Sequence, residues 1–275
     1  MTKKISINHV VGKIISLAVA FTVLLPILWL LVSSFKTDAG VISYPPTFFP
    51  AEWTISQYLY VSRSIPVFQM LKNTIIFAGG TTIISVFLDS LAGYAFARMQ
   101  FKGKNLLFSI ILLTMMVPFQ IIMTPLYIEV YKLGLLDTFA GLILPRATSA
   151  FGIYMMRSFF VGLPKSLEEA GRIEGMGEFR IYWSLMVPLC KPALASLAIF
   201  HFMNNWNDLL YPLMLTSSAN MRTLSAGLAV LVGNKVIKYG PTLAATMISI
   251  LPLLILYIFF QRYFVEGIAA EGTKE

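Results

Sequence analysis

Three ionisable residues stand in otherwise apolar stretches, and any chemistry in this sequence would start with them: Asp89, His201 and Asp208. A carboxylate and an imidazole can exchange a proton, so the first activity to weigh is general acid–base catalysis. No nucleophile or metal-ligand spacing stands beside them, which leaves a membrane-bound enzyme as a thin reading. Two His (His9 and His201) and one Cys (Cys190) exclude a disulfide framework and argue against a metal site. His201, Asn204, Asn205 and Asp208 follow i, i+3, i+4, i+7, so they are expected on one face of a helix. Thr81, Thr82, Ser85 and Asp89 lie at similar spacing upstream. Polar faces are costly against lipid and turn inward. They then serve either as interhelical hydrogen bonds or as direct contacts to a polar solute. An amide- and carboxylate-lined passage suits a neutral polyhydroxylated solute. A phosphorylated one would favour several inward cations, and Arg146 is a single one.

The elements that carry these residues follow from composition. Of 275 residues, 57% are hydrophobic and 12% charged. A soluble domain carries roughly 25% charged residues, so a soluble globule, a disordered chain and a coiled coil are all disfavoured. The net charge of +8 is read as loop charge that sets topology, not as a nucleic-acid surface. Spanning helices of roughly 20 apolar residues are expected at 14–35, 73–97, 105–128, 138–160, 192–215 and 239–261. Lys3, Lys4 and Lys13 place the N-terminus (1–13) inside, and the basic residues of 98–104, 161–191 and 262–275 then fall on the same side. The segments 36–72, 129–137 and 216–238 are external, the first being Pro- and aromatic-rich and interfacial. The expected fold is all-α, a multi-pass membrane protein with six transmembrane helices and both termini cytoplasmic. Pro26, Pro118 and Pro252 are expected to kink their spans. The first span is too long for the apolar core of a cleaved signal.

The charged island at 161–191 is better built than a connection needs. Ser166 and Glu169 have capping-box spacing, and Leu167, Ala170 and Ile173 form an apolar edge. Glu168, Arg172 and Glu174 face elsewhere, and Gly175 is a candidate C-terminal cap. A second amphipathic stretch, 178–187, is expected to stop before Pro188. On these grounds alone the island is either a loop resting on the bilayer or a docking surface for another protein.

Here the sequence resembles a family. Glu169-Ala170-Gly171, three residues, Gly175, nine residues and Leu185-Met186-Val187-Pro188 is similar to the EAA loop of ABC importer permeases, with Gly171, Leu185 and Val187 as departures. Gly171 should weaken the helix by up to ~1 kcal/mol relative to Ala. Ala92-Gly93-Tyr94-Ala95-Phe96-Ala97-Arg98 resembles the end of the second span of sugar permeases, Trp206-Asn207-Asp208 with Pro212 their fifth span, and the run from Gln261 to Ile268 their C-terminus. Together these resemble the MalG-like branch of carbohydrate-uptake permeases, with a core at 73–264.

The resemblance implies a bacterial plasma-membrane permease subunit with no catalytic residue. A MalF-like subunit would form the other half of the pathway, an ABC ATPase dimer would carry ATP and Mg, and an external solute-binding protein would deliver the sugar. The chain itself has no G-x-x-x-x-G-K-[ST] loop and needs no cofactor. Residues implied in ATPase coupling are Glu168, Glu169, Ala170, Gly171, Arg172 and Gly175. Glu169 is the polar contact, and Ala170 and Gly175 are small for close approach. Candidates along the substrate path are Asn204, Asn205, Asp208, His201, Asp89 and Ser85. A polyol or glycerol phosphate is an alternative solute. An autonomous secondary carrier is an alternative class, disfavoured because no inverted repeat is visible.

Overall fold

The structure is a computed structural model, and it describes residues 7–233 and 238–272. Lys3, Lys4 and Lys274 lie outside the described residues, as do the side chains of His9 and of 262–268. Fifteen α-helices run through the described residues, joined by one 3₁₀ turn and one π turn.

Three helices are long and apolar enough to cross a membrane: α1 (Ile7–Ser33), α4 (Val67–Arg98) and α15 (Tyr239–Gly272). Three bent pairs raise the total to six if each pair is one span. The uncharged run 105–128 becomes α5 (Lys104–Thr114) and α6 (Phe119–Lys132), which meet at 100° with Pro118 at the bend. Pro26 and Pro252, by contrast, lie inside helices that continue past them. Residues 138–160 become α7 (Phe139–Ile143), a 3₁₀ turn at Leu144–Arg146 and α8 (Ala150–Val161), bent by 45°. Thr138 and Ser149 cap α7 and α8, each accepting from the N–H three residues on.

The expected fifth span is α12 (Lys191–Asn207) followed by α13 (Leu210–Leu215). Asp208 leaves the helix with ψ 128°. Pro212 supplies the reason: its ring would collide with the carbonyl four residues earlier, that of Asp208. The expectation of one continuous polar face is corrected at this point. Asp208 belongs to the break, where its Oδ1 accepts from Tyr211 N at 3.1 Å, and Asn204 is exposed while His201 and Asn205 are buried.

Two compact units divide the chain, Met1–Val67 with Leu228–Pro252 and Phe68–Gly227 with Leu253–Glu275. Within the first, α2 (Asp38–Val41) and α3 (Ser56–Ser64) lie among Pro- and aromatic-rich loops. Ser34 Oγ lies 2.6 Å from Tyr58 Oη, Phe35 contacts Trp53 and Tyr58, and Gly240 N donates to Asp38 Oδ1 at 2.9 Å. Within the second, Tyr94, Met156, Phe160, Tyr182, Met186 and Leu197 form the main core. A smaller cluster gathers Phe77, Val130, Leu142, Tyr211 and Leu215.

Candidate functional site: a buried polar node and an exposed helix

Asp89 sits on α4 with no solvent exposure. The bend between α7 and α8 brings it partners that a straight helix would not. Thr148 Oγ1 donates to Oδ1 at 2.6 Å and Ser149 N to the same oxygen at 2.9 Å. Ser149 Oγ donates to Oδ2 at 3.0 Å while accepting from Gly152 N, and His201 Nε2 lies 2.9 Å from Oδ2. A side chain at Gly152 would place its Cβ 1.9 Å from Asp89 Oδ2, so only glycine permits this approach. Ser85 Oγ, one turn earlier, donates to the Arg146 carbonyl at 2.8 Å.

A second cluster forms where the breaks of three spans meet. Arg146 Nη2 pairs with Asp208 Oδ2 at 2.5 Å, and Nη1 donates to Asn205 Oδ1 at 3.1 Å. The guanidinium lies 4.2 Å over the Tyr211 ring and 5.5 Å over Phe119. The Arg146 and Asp208 side chains keep 26% and 16% of their exposure, so this neutralised pair still reaches a surface. The two clusters share Asn205, whose Nδ2 donates to the His201 carbonyl. The arrangement is one of internal hydrogen bonds and ion pairs. It ties spans together and presents a charge-balanced edge.

The charged island folds as α9 (Ser166–Ile173), α10 (Glu178–Ile181), a π turn over Tyr182–Met186 and α11 (Val187–Leu189). Two expectations are corrected. The capping box does not form: Lys165 is the N-cap, Ser166 is already helical and no side chain caps the start. Nor does Pro188 stop the second stretch. Its missing N–H is absorbed by the π turn before it, and Pro188 lies in the first turn of α11. The C-terminal end of α9 forms as expected. Gly175 takes φ 78°, Gly175 N donates to Arg172 O, and Met176 N donates to Gly171 O, the two bonds of a Schellman motif. Gly175 has no atom within 4 Å of a built Cβ, so within this chain it serves backbone conformation, not close approach.

The six coupling candidates divide between two faces. Glu168 and Gly171 are buried against their own chain. Glu168 Oε1 lies 3.0 Å from Arg98 Nε, too far out of line for a hydrogen bond but close enough for an ion pair. A Cβ on Gly171 would come within 3.0 Å of Leu185 and 3.2 Å of Ile181. Glycine here lets α9 pack closely on those two side chains, which would have to shift by a few tenths of an ångström for a larger residue. Arg172 bonds Glu178 at 2.8 Å. That bond holds the Glu178 carboxyl below its usual range against the opposing effect of burial, so the pair is charged at neutral pH. Glu169 and Ala170 point to solvent, as do Leu167 at 37% and Ile173 at 87% exposure. The apolar edge of α9 is therefore turned away from its own chain.

Residues 89–269 match the family of binding-protein-dependent transport system inner membrane components. The chain belongs to that family. It is 35% identical to the arabinooligosaccharide transport system permease AraQ of Halalkalibacterium halodurans, over 93% of both chains. It is 31% identical to the diacetylchitobiose uptake system permease NgcG of Streptomyces coelicolor, over 91% of this chain and 84% of that one. It is also 31% identical to the sn-glycerol-3-phosphate permease UgpE of Yersinia pestis, over 90% of each. A crystal structure of a bacterial ABC transporter that imports the acidic polysaccharide alginate superposes with TM-score 0.78 and 25% identity, covering 96% of this chain and 100% of that one. The all-helical permease fold is thus shared with a solved importer.

Sequence reasoning missed Thr148 and Ser149 as partners of Asp89, Arg146 as the partner of Asp208, Arg98 as an anchor of α9 and Tyr94 as an anchor of α10. Pro145 and Pro212 were the available signals for the first two, since each marks a helix break.

Proposed function

We propose that this permease-family chain is the membrane-spanning subunit of an ATP-driven importer of an uncharged sugar or oligosaccharide in the bacterial plasma membrane. A MalF-like subunit supplies the other half of the pathway, an external binding protein delivers solute, and ATP and Mg sit on a separate ATPase dimer. One observation carries the reading: α9 is clasped from behind through Glu168 and Gly171, yet leaves Leu167, Glu169, Ala170 and Ile173 in solvent. An apolar edge held outward in this way suits insertion into a partner's cleft. Closure of the ATPases would then move α9 and switch the spans between two arrangements. Toward solute, Asp89, Ser85, His201 and Asn205 are occupied by internal bonds. Asn204 and the Arg146–Asp208 pair remain available, and that pair has no net charge. This favours a neutral sugar over glycerol phosphate.

The test is uptake by the co-purified complex in vesicles, with arabinooligosaccharide, diacetylchitobiose and glycerol 3-phosphate as solutes. ATP-dependent uptake of an uncharged sugar is expected, with none by the purified chain alone. Nucleotide hydrolysis by the isolated chain, or ion-driven uptake through it, would refute the proposal.

A further inference from the structure

Ser90, Tyr94 and Arg98 stand four residues apart on α4, so they form one row along the helix. Each meets a polar group of the segment that follows α8. Ser90 Oγ lies 2.7 Å from Tyr182 Oη. Tyr94 Oη donates to Glu178 Oε2 at 3.0 Å. Arg98 faces Glu168 at 3.0 Å and also donates to the Leu163 carbonyl, just ahead of α9. Arg172 bridges the two carboxylates, bonding Glu178 and lying 3.6 Å from Glu168. The row excludes water: Ser90, Tyr94 and Tyr182 are buried, and the Arg98 and Glu168 side chains are each 4% exposed.

Sliding α9 along α4 would strand two desolvated charges, so the ion pair resists any motion in which one helix moves without the other. Next to Ser90 on α4, Asp89 grips the cap of α8 and His201 of α12. The row therefore runs unbroken from the exposed helix to the node where the broken spans meet.

We propose that the Ser90–Tyr94–Arg98 row is the joint that passes displacement of α9 into α4 and on to the Asp89 node. Arg98 and Tyr94 are positioning residues in it. This rests on the reading of the chain as an ATP-driven permease. The test reads coupling apart from assembly.

The complete complex, with Asn204→Cys as reporter in a Cys190→Ala background, is reconstituted in nanodiscs. The alkylation rate at position 204 is compared without nucleotide and with ATP plus vanadate, alongside ATP hydrolysis. Arg98→Met should reduce the nucleotide-dependent change roughly 2- to 30-fold, the range of coupling energies along such networks, while hydrolysis stays near that of the parent complex. Exchanging the charges, Arg98→Glu with Glu168→Arg, should recover much of the change. Full retention of the change in Arg98→Met, or an assembled exchange variant with no recovery, overturns the joint. If Arg98→Met does not assemble, Tyr94→Phe decides: it removes one hydroxyl, and an unaltered change in that variant overturns the joint. A parent complex in which nucleotide changes nothing overturns the permease reading itself, a result separate from any failure of the variants.

Discussion

Replacing Asp89 by Leu should collapse the yield and thermal stability of the assembled complex. Asp89 makes four hydrogen bonds: Oδ1 accepts from Thr148 and Ser149 N, Oδ2 accepts from Ser149 Oγ, and Oδ2 pairs with His201 Nε2. Bonds between membrane helices average ~0.6 kcal/mol each, so their loss sets a floor of roughly 2 kcal/mol. Of the partners left behind, His201 is buried, and an orphaned buried group costs about 1–3 kcal/mol. The total is a large share of a stability of roughly 5–15 kcal/mol. Asp89→Asn keeps one acceptor oxygen and the side-chain shape, so it should lie between Leu and the native residue. Thermal scans of the purified complex, with uptake normalised to complex content, check this. An Asp89→Leu complex as stable as the parent would contradict the role of Asp89 as a tie between helices.

Glu169→Lys and Ala170→Trp should leave this chain folded and uncouple it from ATP. Both residues are exposed on α9, and the Glu169 side chain has no ion-pair partner among the described residues. Reversal of a charge or addition of an indole at a docking face should act on the partner contact alone. Coupling between sites is typically 1–3 kcal/mol, so uptake should fall about 5- to 150-fold, together with sugar-stimulated ATP hydrolysis. Glu168→Gln makes the contrast. Its side chain is 4% exposed against Arg98, so the variant should lower stability as well as coupling. Normal uptake in both Glu169→Lys and Ala170→Trp would return α9 to the role of a loop resting on the bilayer.

Periodicity and charge made much of this chain legible before its structure. Long apolar runs announced the membrane-crossing helices because lipid leaves the backbone no other partner. Gly175 could be read as a helix end because αL geometry favours glycine. What stayed hidden depended on breaks. Pro212 acts on a carbonyl four residues earlier, so the helical wheel that grouped Asp208 with His201 held only as far as Asn207. The partners of Asp89 come from the short stretch between the 3₁₀ turn and α8, about sixty residues away, and from His201 on α12, distances over which no local pattern operates. Inside α9, composition identified an apolar edge but not its direction. That depended on Arg98 capturing Glu168 and on Gly171 fitting against Ile181 and Leu185.

The direction of that edge is also where the account is most directly testable. A photo-crosslinking amino acid placed singly at Glu169, Ala170 and Ile173, in the complete complex in native membranes, reports what covers α9. Crosslinks to the ATPase subunit are expected from all three positions, changing in strength when nucleotide is added. Crosslinks to lipid alone, insensitive to nucleotide, would contradict it.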